Sequence, residues 1–305
     1  MNQPKVSIII LNWNGLEDTI ECLESLKKIT YPNYEVIVVD NASQGDDVRN
    51  LREKFGDYIH IIRNDSNYGF AEGNNVGIRY GLNNSNPAYF LLLNNDTVVA
   101  PDFLDELIKV ARSDSEIGIV GPKIYYYDFN GRKDVIWSAG GKIEWWRRWI
   151  YHGIGSNDDD LPQYQNVADV DWISGAAMMI RASIIQELSL LDSHYFLGNE
   201  DVEYCLKVRQ RGFRIVYVPT ARVWHKVGIS RNKVNPSGRK HEPSFVNLPS
   251  YYRLIRRNFS VAVYVYHLLL LPPILCQWGI SYVFKRRDKK TLVAFIRTLL
   301  PGQHP

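Results

Sequence analysis

The run Leu91-Leu92-Leu93-Asn94-Asn95-Asp96 closes an apolar stretch with three oxygen-bearing side chains, and Pro101 opens what reads as a helix a few residues on. Hard divalent cations such as Mg²⁺ or Mn²⁺ take oxygen ligands, and Mg²⁺ commonly accepts one or two carboxylates with phosphate oxygens and water completing its shell. One aspartate among amides therefore suffices for a metal that meets a phosphorylated ligand. Similar polar clusters follow other apolar runs: Asn12, Trp13 and Asn14; Asp40, Asn41 and Ser43; Asn64, Asp65 and Asn67. Turns favour Asn, Asp and Ser anywhere, but four such clusters along one sheet edge read as a ligand cleft. Farther on, Glu200-Asp201 opens a helical pattern, where acids suit the unpaired N–H groups and the dipole, and His225 follows the strand-like Val223-Trp224.

The elements that must position these residues alternate in period. Val6 to Leu11, Glu35 to Val39, Tyr58 to Ile62, Tyr89 to Leu93 and Ile117 to Val120 read as strands, with amphipathic stretches at Leu16 to Lys27 and Glu72 to Leu82 between them. Strands apolar on both faces and joined by helices predict a mostly parallel sheet covered on both sides, whose ligands sit beyond the strands' carboxyl ends. Between Asn67 and Gly77, Gly69 and Gly73 allow close backbone approach and Asn74 falls in the first helical turn, a place that attracts phosphate. No GxGxxG is present, so a dinucleotide fold is not supported. Tyr125 to Gln165 is weakly patterned. A second ordered block holds the strand-like Ala176 to Ile180, a helix from Glu200 to Arg211 stopped by Gly212, and the strand-like Arg214 to Val218.

Composition narrows the function class. The 305 residues carry 36 Lys and Arg against 33 Asp and Glu, a formal net charge of +3, too little to announce a nucleic-acid partner. Three scattered cysteines, Cys22, Cys205 and Cys276, give neither a disulfide framework nor zinc-ligand spacing. The apolar run near the N-terminus is too short for a secretory signal, which reads as no export.

Taken together and in order, "VIVVDNAS" (Val36 to Ser43), "NYGFAEGNNVG" (Asn67 to Gly77), the Asn94-Asn95-Asp96 run and "NEDVEYCLKVRQRG" (Asn199 to Gly212) resemble the family 2 glycosyltransferases of the GT-A fold. Within that family the likeness is to rhamnosyltransferase-like members that build bacterial surface polysaccharides, and it runs from Val6 to Arg231. The resemblance implies a nucleotide-diphospho-sugar donor, a divalent metal and inversion at the anomeric carbon. It casts Asp40 as the carboxylate that receives the base or ribose, with Asn12, Asn14, Asn67, Gly69, Asn74 and Asn95 around the nucleotide sugar. It casts Asp96 and His225 as metal ligands, Asp201 as general base and Glu200 as its support or as a group orienting the acceptor. Asn94 stands where the family's DxD motif has its first acid, a departure that bears on metal affinity.

The C-terminal third adds a partner. Ser260 to Phe284 holds no Asp, Glu, Lys or Arg, Pro272-Pro273 interrupts it, and basic residues flank it from Arg253 to Arg257 and from Lys285 to Lys290. This predicts two short helices lying on anionic lipid, with a buried helical hairpin as the alternative. Trp145, Trp146 and Trp149 serve equally to stack on sugars, to sit in a membrane interface or to fill a core. The expectation is an α/β chain with a GT-A domain over 1–243 and a helical membrane-associating region over 244–305. It would act at the cytoplasmic face of the cell membrane, moving one sugar, L-rhamnose from dTDP-rhamnose, to a lipid-linked or oligosaccharide acceptor. The rivals are a catalytically inactive sugar- or nucleotide-binding module on the same scaffold and an enzyme that forms nucleotide sugars.

Overall fold

The computed structural model describes residues 3–147, 149–227 and 248–280. The polar, basic stretch from Lys226 to Pro243, whose sequence reads either as a lid closing on a diphosphate or as a solvated loop, lies outside those residues beyond Val227, as do the basic flank from Lys285 to Lys290, Phe284 and the expected boundary at 243/244. The elements run β1 (Val6–Asn12), α1 (Leu16–Leu26), β2 (Tyr34–Asp40), α2 (Asp47–Phe55), β3 (Ile59–Arg63), α3 (Gly69–Asn84), β4 (Tyr89–Asn94), β5 (Thr97–Val99), α4 (Phe103–Ser113) and β6 (Ile117–Tyr126). They continue with β7 (Ile136–Ser138), β8 (Gly141–Ile143), β9 (Tyr151–Gly153), β10 (Ala168–Asp169), β11 (Ala177–Arg181), α5 (Ala182–Leu188), α6 (Glu200–Gln210), β12 (Arg214–His225), α7 (Leu248–Asn258) and α8 (Val261–Ile280). The chain divides into two compact units, residues 1–143 with 151–238, and residues 144–150 with 239–305.

The first unit is built on a sheet ordered β10-β12-β6-β11-β4-β1-β2-β3, with β5 added to β12 and β7 to β6. Strands β4, β1, β2 and β3 are parallel neighbours, but β11 runs antiparallel to both β4 and β6. The sheet is therefore mixed, not mostly parallel. The reason is the excursion between β6 and β11, which brings the chain back to the carboxyl edge of β4, so that β11 enters in the opposite direction. Apolar periodicity does not encode that return.

Side chains alternate between two cores, as the pleat requires. Ile8 and Ile10 of β1 pack with Leu23, Leu26 and Leu104 from α1 and α4, whereas Ile9 packs with Ile78 of α3 and with Ile180 and Ile184 on the other face. Helix α3 approaches the sheet through Gly73, Gly77 and Gly81. A Cβ on Gly77 would stand 2.7 Å from Ile9 Cγ2, and one on Gly81 2.6 Å from the Phe90 ring. The buried thiol of Cys22 is pushed up to about 12 by loss of water around it, which removes it from thiolate chemistry.

The second unit corrects the membrane expectation. Val261–Ile280 is one helix passing through Pro272 and Pro273 instead of two short helices, and no helix among the described residues is long and apolar enough to cross a membrane. Its second turn carries a polar anchor. His267 is buried, with Nε2 donating to the Trp145 carbonyl (2.9 Å) and Nδ1 facing the Tyr251 hydroxyl (3.2 Å). Tyr266 donates to the Trp146 carbonyl, and the Tyr251 hydroxyl accepts the Ile150 N–H. These bonds hold the first turns of α8 against α7 and residues 144–150, so the missing N–H groups of the prolines do not end the helix.

The close approach of α3 makes a test of this packing. Gly77→Val forces two methyl groups into the Ile9 and Val39 contact and should cost about 1–3 kcal/mol of stability by overpacking, read as a lower urea midpoint with an unchanged denaturant slope.

Candidate active site

The parallel register of β1 and β2 pairs Asn12 with Asp40 at the strand ends, and both side chains are fully buried. A carboxylate in that position needs donors. Asn12 Nδ2 supplies one to Asp40 Oδ2 at 2.8 Å and also reaches Ser43 Oγ at 3.1 Å and Asp47 Oδ2 at 3.0 Å. The Ser43 N–H donates to Asp40 Oδ1 at 3.0 Å, and Thr19 of α1 donates to Asn12 Oδ1 at 2.9 Å. Asn14 sits at φ 51°; its N–H donates to Ser43 Oγ, and its Oδ1 accepts the Gln44 N–H. Asn12, Asn14 and Asp40 thus form one network that shapes the turn after β2.

A second network gathers Asn67 and Gly69 around Asn41. Asn41 Nδ2 donates to Asn67 Oδ1 (2.8 Å) and to the Gly69 carbonyl (3.1 Å), while its Oδ1 accepts from Asn64 Nδ2 (2.9 Å) and the Tyr68 N–H (3.2 Å). Gly69 has φ +78°, and a Cβ there would meet the Phe196 carbonyl at 2.4 Å. Asn74 turns its amide onto the Phe70 carbonyl of its own helix at 2.9 Å, and Asn95 donates to Thr19 Oγ1 at 2.9 Å. The amide nitrogens of these two residues are spent on structure.

Asp96 and His225, distant in sequence, are brought together because β12 pairs antiparallel with β5 in a register that sets His225 opposite Thr97. Asp96 Oδ1 lies 3.0 Å from His225 Nε2, both residues buried. Asn94 Nδ2 is 3.4 Å from the same nitrogen, and Trp137 packs edge-on against the ring, centroids 4.6 Å apart. Burial by itself raises the Asp96 carboxyl, but the electrostatic pull and hydrogen bond of His225, with Lys226 beyond it, outweigh it, leaving it below the usual aspartate range. Among the described residues no group of three or more His, Cys, Asp or Glu side chains could hold a metal, so the protein's share of any coordination here is small. Beside the pair, Lys226 is clamped by Asp18 (2.7 Å) and Glu21 (2.6 Å) of α1.

Asp201 occupies the first turn of α6. Its Oδ2 accepts the Gly175 N–H at 2.9 Å and its Oδ1 the Val202 N–H at 2.8 Å. Desolvation outweighs both bonds and raises this carboxyl above its ordinary value. The next residue, Ala176, accepts the Asn94 N–H at 2.9 Å, so Asp201 reaches the end of β4 through two consecutive backbone links. Glu200 is buried beside it, preceded by Asn199 in the left-handed region at φ 76° and hydrogen-bonded by the Tyr151 hydroxyl. The residues that sequence reasoning left out are those that hold others: Thr19, Asp47, and Asp18 and Glu21 of α1, which clamp Lys226. Ordinary helix positions gave them no signal. Two surface cavities, about 350 Å³ beside Asp169, Arg209 and Arg214 and about 300 Å³ beside Tyr89, Arg112 and Arg181, involve none of these groups.

Comparison with known proteins shows the family. Residues 4–238 match the family described as Glycosyltransferase like family 2. A low-salt glycan biosynthesis hexosyltransferase of Haloferax volcanii, Agl10, is 28% identical over 69% of this chain, which spans 63% of that protein's length. Rhamnosyltransferase WbbL of Escherichia coli is 27% identical, with 86% of this chain and 99% of that one covered. In three dimensions the chain resembles GalNAc-T7, solved with UDP, GalNAc and Mn²⁺, at a TM-score of 0.62 and 18% identity, covering 84% of this chain and 48% of that one.

The strand-end network predicts its own fragility. Asn12→Ala leaves Asp40, Asp47 and Thr19 without a shared partner in a water-poor site, and should cost about 1–3 kcal/mol, measured by chemical denaturation at neutral pH.

Proposed function

The chain belongs to glycosyltransferase-like family 2, and from that premise we propose that it transfers one sugar from a nucleoside-diphosphate donor to an acceptor hydroxyl with inversion at the anomeric carbon. The observation that carries the reading is the 3.0 Å approach of Asp96 Oδ1 to His225 Nε2. Asp96 and His225 would together hold a Mg²⁺ or Mn²⁺. With Asn94 replacing a first acid, the protein would supply few ligands, and the donor's diphosphate and water would supply the others. A bound metal would supply charge stabilisation at the leaving diphosphate.

The chain's own residues do the rest. Asp40 and its Asn12 network receive the nucleoside, and Asn67 and Gly69 line the path of the donor. Asp201 takes the proton of the acceptor hydroxyl as its oxygen bonds to the anomeric carbon, and the bond from that carbon to the diphosphate breaks. A single base is enough, since the diphosphate leaves without needing a proton, unlike the paired carboxyls of an inverting glycosidase. Its raised carboxyl is, once ionised, a better proton acceptor than an ordinary aspartate. Glu200, buried at its side, orients the acceptor.

Rhamnose from dTDP-rhamnose is the donor we assign: the Escherichia coli relative is a rhamnosyltransferase, and a dTDP-rhamnosyl transferase of Shigella flexneri is 22% identical over 77% of this chain; the acceptor is a lipid-linked glycan, as suits surface polysaccharide synthesis. Such an acceptor would bring the enzyme to the cytoplasmic face of a membrane. Residues 1–243 would form the catalytic domain.

Three outcomes test the reading. The melting temperature should rise with dTDP and Mn²⁺ together in the wild type, by ligand linkage, and Asp96→Ala should erase the Mn²⁺-dependent part. Asp201→Asn should reduce turnover by about 10²–10⁴-fold while keeping the nucleotide shift; undiminished turnover rejects the base. Because the base must be ionised and its carboxyl is raised, kcat/KM should fall on acidification at a pH above the ordinary aspartate value of about 3.9, as read from a pH–rate profile.

A further inference from the structure

The segment leading into α6 turns two large apolar side chains to solvent, Phe196 at 57% and Leu197 at 43% exposure, although its backbone is held at both ends. Asn75 of α3 brackets one end, donating to the Leu191 carbonyl at 2.9 Å and accepting the Leu191 N–H at 3.1 Å. At the other end the Phe196 carbonyl accepts the Phe70 N–H at 2.7 Å. Gly198 at φ 89° and Asn199 at φ 76° then form a sharp left-handed corner before Glu200. Asn199 pays a conformational cost there that a plain connection would not need. A tethered, strained loop that still displays an aromatic ring is a rigid platform, unlike a lone surface apolar residue on a loose turn.

The platform is continuous with the proposed base. The Phe196 ring lies against Gly69, where a Cβ would come within 2.7 Å of it. Phe70 follows, and a Cβ on Gly175 would meet the Phe70 ring at 3.1 Å and Asp201 Cβ at 3.5 Å. Phe196, Gly69, Phe70, Gly175 and Asp201 therefore form one wall, and the link from Ala176 to Asn94 divides it from Asp96 and His225 on the donor's diphosphate side.

We propose that Phe196, with Leu197 beside it, is an acceptor subsite: the platform on which the apolar C–H face of the acceptor's pyranose ring lies while one of its hydroxyls meets Asp201. This rests on the transferase reading above. A pyranose presents a C–H face to an aromatic ring and keeps its hydroxyls hydrated at the rim, which fits a ring that is open to solvent on one side and pinned on the other.

Saturation-transfer NMR on the full chain tests it, with octyl β-D-glucopyranoside, octyl β-D-galactopyranoside and octyl N-acetyl-β-D-glucosaminide as probes and a sugarless octyl tetraethylene glycol ether as control. The wild type should saturate the ring C–H protons of at least one glycoside and leave the control's headgroup unsaturated. Phe196→Ala should weaken that glycoside's half-saturation by about fivefold to tenfold, Phe196→Leu should also weaken it, and Phe196→Trp should restore it. A retained dTDP–Mn²⁺ melting shift marks each variant as folded, a readout that a merely structural Phe196 would not preserve. Wild type that saturates none of the glycosides, or Ala and Leu variants that bind as tightly as wild type, overturns the inference. A wild type with no dTDP–Mn²⁺ shift overturns instead the transferase reading beneath it.

Discussion

Strand β1 lies between β2 and β4 in parallel register, so Asn12, Asp40 and Asn94 finish at one level of the sheet. Everything at the candidate site follows from the need to satisfy polar groups at that level, where helices cover both faces and water is scarce. A buried carboxylate such as Asp40 is tolerable only with donors aimed at it, and Asn12 and the Ser43 N–H are those donors. The same demand recruits α1 through Thr19, which bonds both Asn12 and Asn95. The strand ends and the first helix form one unit, and the residues that hold the site in shape outnumber those free to meet a ligand.

Much of this was legible in the sequence, because strands buried on both faces write themselves as unbroken apolar runs. The ends of β1, β2 and β4 fall within a residue of where those runs stop. What escaped is informative in physical terms. Helix α2 carries few apolar residues beyond Leu51 and Phe55, so its period is faint. Strand β12 is continuous from Arg214 to His225 with a register shift between Val218 and Arg222, and that irregularity broke the pattern into two pieces. The direction of β11 is a matter of how the excursion returns, which no local signal records. Two prolines read as a helix break, yet side-chain bonds around His267 secure α8 ahead of them.

Side-chain roles were less legible than strand ends. Asn74 and Asn95 stand where a ligand contact is expected, but each spends its amide nitrogen on a carbonyl or hydroxyl of the protein. An Asn in a motif has two faces of chemistry, and only the fold decides which is used. Gly73 was noted for phosphate approach, whereas a Cβ there would strike Leu11 at 2.5 Å, so helix–sheet packing already requires it. Asp96 and His225 illustrate the converse: 129 positions apart, they meet because β5 and β12 pair, and only a resemblance, not spacing, joined them beforehand.

The two aspartates nearest the proposed chemistry are tuned in opposite directions by the same fold. Asp96 has a cationic neighbour, which overcomes desolvation and holds the carboxyl low. Among the described residues Asp201 has backbone N–H donors alone, which do not overcome it, and its carboxyl rises. A ligand for a cation must stay ionised at any working pH, whereas a base must hold a proton once it has taken it, so the division matches the two tasks. Position in the fold accounts for the difference. Asp96 sits where β12 delivers His225 and Lys226, and Asp201 at the start of a helix whose first turn also carries Glu200 and Glu203. Moving a cation beside Asp201 would strengthen its ionised form and weaken it as a base. Burial at the opening of α6 is therefore what keeps this carboxyl fit to accept a proton.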